Sequence, residues 1–152
     1  MPWIPRPARD AFDGLVWLPR LIEKARRHAH GRSSGADLMN GYLYGNNDFI
    51  DGQVLRFLKT DDATISALVE RCSDDDDVAR GAIAQSGRSL DERRTFNAGL
   101  ERRMLGFAML DADEGRLGPG LRSNAIAFVY NRAMMPIVYA VFRRAEFKRR
   151  KA

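Results

Sequence analysis

The chain has one cysteine and two histidines in 152 residues. A single thiol excludes an intrachain disulfide framework and a zinc site built from several thiolates. His28 and His30 sit two apart, so on a helix they point away from each other and do not share a metal. No stretch alternates apolar and polar residues over strand length, and Val, Ile and Thr are sparse before residue 125, which argues against a sheet protein. The opening MPWIPRPARDAF lacks an apolar run of secretory length and a small-residue cleavage site, so it does not read as a signal peptide. With a lone thiol and no leader, the cytoplasm is the expected compartment. There is no Gly-rich phosphate loop, no G-x-S-x-G and no H-E-x-x-H. No catalytic residue, metal site or cofactor is expected.

What is present fits one globular domain. Hydrophobic residues make up 45% and charged residues 30%, ordinary for a folded protein of this length. The net charge of +5 hides a pattern. Residues 1–32 carry +4, residues 33–115 carry −7 and residues 116–152 carry +8. An acidic body is thus flanked by basic ends. Those ends are placed either to seek an anionic partner or to fold back on the body.

Helical periodicity dominates the body. Leu18, Leu21, Ile22, Ala25 and Ala29 form one apolar face of a helix with Pro19 in its first turn and Gly31 at its end. Arg20, Glu23, Lys24 and Arg27 are expected on its polar side. Residues 31–47 read as a loop, with a short ribbon at 40–45 as an alternative. Ile50, Val54, Phe57 and Leu58 mark a second helix. Thr60 or Asp61 caps a third, with Ile65, Leu68, Val69 and a buried Cys72 on one face. Ser73 and the run Asp74–Asp77 open a fourth that Gly87 stops. Those acids suit a helix N-terminus and lack the spacing of a calcium loop. Ser89 and Glu92 form a capping box for a fifth, with Phe96, Leu100, Met104 and Phe107 facing inward. The expected fold is all-α, a compact bundle of five to six helices over residues 1–115. A hinge and a C-terminal helical extension follow at 116–152.

The stretch GLVWLPRLIEKARRH, residues 14–28, carries a resemblance. Gly14, Trp17, Leu18, Pro19, Arg20, Leu21, Ile22, Lys24 and Ala25 match the opening block of a bacterial family known as domain of unknown function 5069. A Gly- and Tyr-containing loop follows (Gly41 to Gly45), then Asp48 ahead of Arg56-Phe57-Leu58, then Ser89, Glu92, Phe96 and Asn97. Phe96 stands where the family pattern has Trp. The resemblance covers about residues 5–100 and leaves the end of the chain unmatched. It implies a small bacterial domain and no assigned activity.

Two functional expectations follow. The first is a binding or interaction module that self-associates through residues 121–147. Residues 125–142, AIAFVYNRAMMPIVYAVF, are apolar and end in RRAEFKRRKA. Eighteen residues broken by Asn131, Arg132 and Pro136 fall short of a membrane span of about 20. Attachment to an anionic lipid surface is a further reading of the same segment. The cations come without a nucleic-acid reader module, which argues against DNA binding. The second expectation is a small anionic ligand held by Arg20, Lys24, Tyr42, Tyr44, Asp48 and Asn97. In an enzymatic version Asp48 is the base. Against it stands a solvated helix face, or ion pairs to Asp48 or Asp74–Asp77. Trp17 reads as core.

Overall fold

The computed structural model of the chain describes residues 3–45, 49–103, 107, 110–112, 114–117, 125–126, 128–129 and 132. Two compact units divide it, Met1–Arg103 and Met104–Ala152. The first unit holds five helices and one small ribbon among its described residues. The all-α expectation is met apart from that ribbon. Asp48, Met104, Pro136 and nearly all of the segment 121–147 lie outside the described residues. Among the described residues no helix is long and apolar enough to cross a membrane.

The ribbon lies at the start of the chain, not at 40–45. Strands β1 (Ala11–Phe12) and β2 (Leu15–Val16) pair antiparallel, Ala11 opposite Val16 and Phe12 opposite Leu15. Asp13 and Gly14 make the turn with φ of 45° and 74°. Two positive φ values in a two-residue loop match the twist of a hairpin, and Asp-Gly tolerates them. A side chain at Gly14 would also meet Leu90 Cδ1 at 2.6 Å. The ribbon is thus held close over the last helix.

Helix α1 (Leu18–Ser34) is the axis of the unit and packs on α3 (Asp62–Arg71), α4 (Asp75–Ser86) and β1. Leu18, Leu21, Ile22 and Ala25 are fully buried on it, as their spacing requires, while Ala29 is half-buried. The helix runs one turn past Gly31, which is buried within it, and ends at Gly35 with φ 68°. A Cβ at Gly31 would lie 2.8 Å from the Ala36 carbonyl oxygen. Gly31 therefore lets the following loop close on the helix.

The remaining helices begin where local chemistry places them. Helix α2 (Ile50–Phe57) buries Ile50, Asp51, Val54 and Leu55. Asp61 caps α3 by accepting from Thr64 N at 2.7 Å. Asp74 caps α4 by accepting from Asp76 N at 3.1 Å, and Gly87 closes it with φ 65°. Helix α5 (Leu90–Arg103) starts with the expected box: Ser89 N donates to Glu92 Oε2 at 2.8 Å, and Glu92 N donates to Ser89 Oγ at 3.2 Å. Phe96 is half-buried and stacks on Phe57 at 4.2 Å between centroids. Cys72, expected in the core, is half-buried.

Candidate functional site

Arg20 and Lys24 are in the core and not on a polar face. Their side of α1 is covered by α2, by the loop at 42–44 and by the N-terminal arm. Relative exposure is 1% for Arg20, 4% for Lys24 and 2% for Asp51. Lys24 Nζ donates to Asp51 Oδ1 at 2.5 Å, to Asp51 Oδ2 at 2.6 Å and to the Leu43 carbonyl oxygen at 3.0 Å. An ammonium has three donors, and three acceptors meet it. Trp17 Nε1 donates to Asp51 Oδ1 at 2.7 Å. Trp17 is the N-cap of α1 in the left-handed region, φ 72°, which turns its indole towards α2. The Arg20 guanidinium lies 4.9 Å from the Trp17 ring and 5.5 Å from the Tyr42 ring, and donates to the Arg6 carbonyl oxygen at 2.6 Å.

Burying charge costs several kcal/mol per ion unless a partner and hydrogen bonds compensate. For Lys24 and Asp51 both are supplied, by groups distant in sequence. The arrangement knits the arm, α1, the loop and α2 into one core. Among the described residues the acid that neutralises Lys24 is Asp51, and Asp48 lies outside them. Trp17, expected in the core, is there, at 4% exposure.

The other expected ligand residues part company. Tyr42 meets Trp3 edge-on at 5.6 Å, within the arm's packing. Asn97 goes to the ribbon, where Nδ2 donates to the Gly14 carbonyl oxygen at 2.7 Å and Oδ1 accepts from Val16 N at 3.2 Å. Of the expected set, among the described residues, Tyr44 alone lines an open cleft. Its hydroxyl donates to the Asp62 carbonyl oxygen at 3.0 Å and lies 3.3 Å from Ser66 Oγ.

That cleft, of about 410 Å³, runs between α1 and α3. His28 and Arg32, one turn apart, form its α1 wall. Asp62, Ser66 and Glu70, each one turn from the next, form its α3 wall, with Ala63 and Ala67 beside them. Arg32 and Glu70 approach at 3.8 Å, both more than half exposed. The His28 ring meets the Tyr44 ring at 5.2 Å. His28 Nδ1 is buried and has no hydrogen-bond partner among the described residues. His28 and Arg32 also border a second hollow of about 340 Å³ against the turn at 35–39. Burial pushes the Tyr44 hydroxyl up to about 12, so near neutral pH it is a hydrogen-bond donor. Among the described residues no group of three His, Cys, Asp or Glu side chains is placed to hold a metal.

The model of the family described as Domain of unknown function (DUF5069) matches residues 3–108. The chain belongs to that family. The match takes in the buried Trp17–Lys24–Asp51 cluster and both walls of the cleft, and it stops before the C-terminal segment. No curated protein and no solved structure matches the chain. For this DUF5069 member the site is therefore argued from its own residues. Sequence reasoning missed His28, Arg32, Asp62, Ser66 and Glu70 as a set. The one-turn spacing of Asp62, Ser66 and Glu70 was legible on α3; that α1 runs on through Arg32 and faces α3 was not.

Proposed function

We propose that the first unit is a binding module for a small polar molecule, taken up in the cleft between α1 and α3. One observation carries this reading. His28, Arg32, Tyr44, Asp62, Ser66 and Glu70 bring polar side chains from two helices and a loop to the walls of one open cleft. A cleft of about 410 Å³ is in the range of small-molecule sites. Binding is favoured over catalysis because the Tyr44 hydroxyl, held near 12 by burial, donates and does not act as a base. The same reading sets the module in a bacterial cytoplasm, with Cys72 as a free thiol.

The test is a thermal-unfolding screen of the full chain against small polar metabolites. Ala67→Phe serves as the blocked form, since Ala67 is exposed and lines the cleft. The expected result is a compound that raises the midpoint of the natural chain and leaves Ala67→Phe unmoved. Stabilisation of both forms alike, or of neither, overturns the reading.

A second reading concerns the C-terminal segment, which self-associates on this proposal. It is supported by Phe128 and Val129, which are 68% and 55% exposed within the apolar stretch. Size-exclusion chromatography with light scattering compares the full chain with one ending at Gly120. A full-length dimer and a shortened monomer support assembly. Two monomers overturn it, and sedimentation of the full-length monomer with anionic vesicles then assigns the segment to a lipid surface.

A further inference from the structure

We infer that Asn40-Gly41 is a site of spontaneous deamidation, and that the modification frees the tip of the N-terminal arm. Residues 39–42 form a tight turn, closed by Tyr42 N donating to the Met39 carbonyl oxygen at 3.0 Å. Asn40 and Gly41 are its two central residues, with φ of 51° and 80°, and both are exposed. That is the Asn-Gly form of a type I′ turn.

An asparagine followed by glycine holds an electrophile and a nucleophile side by side. The Gly41 backbone nitrogen gives up its proton to hydroxide and attacks Asn40 Cγ. A carbon–nitrogen bond forms, the bond from Cγ to Nδ2 breaks, and Nδ2 leaves as ammonia. Water then opens the cyclic imide at one of its two carbonyl carbons, to aspartate or to isoaspartate. One water enters for each ammonia lost, and nothing is oxidised or reduced. Ring closure needs a nitrogen that is uncrowded and unengaged. Gly41 has no Cβ to shield it, and the space beside its Cα is open to 4 Å. Its N–H makes no hydrogen bond among the described residues.

The fold selects this dipeptide. Asn97, the other described asparagine, lies within α5 ahead of Ala98, and the ribbon engages both its amide oxygen and its amide nitrogen. The Asp-Gly pairs, which close the same ring with loss of water, are held. Asp51 is 2% exposed within α2 with both oxygens on Lys24, and Asp13 is clasped by Arg93. Among the described residues one side-chain hydrogen bond holds Asn40, and the reaction removes its donor. Nδ2, the leaving nitrogen, donates to the Trp3 carbonyl oxygen at 3.2 Å. Its loss sets a carboxylate against a carbonyl, two acceptors with no proton between them. Isoaspartate also lengthens the turn, beside a Tyr42 ring that meets Trp3 at 5.6 Å. Arg6 N, which donates to Glu23 Oε2 at 2.6 Å, keeps the rest of the arm in place.

The test holds the full chain in warm, mildly alkaline buffer and follows each asparagine by mass spectrometry of its peptide. The expected result is conversion many-fold faster at Asn40 than at Asn97, with isoaspartate exceeding aspartate. Asn40 that converts in urea and stays intact in the folded chain overturns the site. The arm is read from the indole N–H resonances of the two tryptophans, with Trp17, bonded to Asp51, as the internal reference. The Trp3 resonance moves as the natural chain ages, and in fresh Asn40→Asp, while that of Trp17 holds. Asn40→Gln keeps an amide and closes the larger ring poorly, so both resonances hold on ageing. A Trp3 resonance that does not move in the converted chain overturns the release of the arm.

Discussion

Lys24 Nζ lies 2.5 Å and 2.6 Å from the two carboxylate oxygens of Asp51, with side-chain exposures of 5% and 2%. The pair is held from above by the Leu43 carbonyl oxygen and from the side by Trp17 Nε1. It joins residues 27 apart in the chain and gives the stretch 14–28 a structural role through Trp17 and Lys24.

Removing one partner strands the other. Asp51→Asn leaves a buried ammonium beside a neutral amide, and urea unfolding is expected to show a loss of about 3–5 kcal/mol. The double variant Lys24→Met with Asp51→Leu removes both charges and recovers part of that loss. A double variant less stable than either single one contradicts the pairing.

Arg26 is the second tie. Its guanidinium donates to Asp75 Oδ1 at 2.8 Å, to the Val69 carbonyl oxygen at 3.0 Å and to the Cys72 carbonyl oxygen at 3.1 Å. One planar fork thus closes the end of α3 and the start of α4. Arg26→Ala is expected to cost about 1.5–3 kcal/mol. Arg26→Lys recovers little of it, because a single ammonium cannot reproduce the fork. Chemical denaturation of the three forms decides.

The α5 box makes stability depend on acid. Glu92 accepts from Ser89 N and from Arg88 Nη1 at 2.7 Å. The backbone bond first, and then the arginine, hold its carboxyl at about 2, against an ordinary 4.5. A group depressed on folding stabilises the fold above its unfolded value. The contribution is lost as pH falls from about 4.5 through about 2. Unfolding midpoints recorded across that window should fall more steeply for the natural chain than for Glu92→Gln.

Gly45 sets Tyr44 against α3. Its φ is 106°, and a Cβ there would lie 2.5 Å from Asp62 Oδ2. Gly45→Ala is expected to cost about 1–3 kcal/mol and to shift the Tyr44 ring away from Ser66. The change is readable in the tyrosine aromatic resonances. An unchanged Tyr44 environment contradicts the account of the loop.

Helix starts were legible because caps are local. Asp61, Asp74 and the Ser89–Glu92 box each satisfy backbone donors within three residues, so the sequence carries the whole interaction. The buried state of Arg20 and Lys24 was not legible. Their partners, Asp51, Leu43 and Arg6, come from other segments, and a charged residue on a helix reads as solvated until its neighbours are known. The ribbon escaped periodicity because each strand has two residues. Its signal was the Asp13-Gly14 dipeptide between apolar pairs. The cleft was half legible: Tyr44 was singled out, while His28 looked like the end of a helix and Arg32 fell in the loop expected after Gly31.

The central claim is that the buried cluster holds the fold and the cleft beside His28 takes the ligand. The most direct measurement is the side-chain proton–nitrogen spectrum of the histidine-labelled full chain, before and after addition of a small-metabolite extract. It is recorded for the natural chain and for Ala67→Phe. The account predicts that the His28 Nδ1 resonance moves in the natural chain and stays fixed in Ala67→Phe. Exposed His30 stays fixed in both. A His28 resonance that does not move, or that moves equally in both forms, contradicts it.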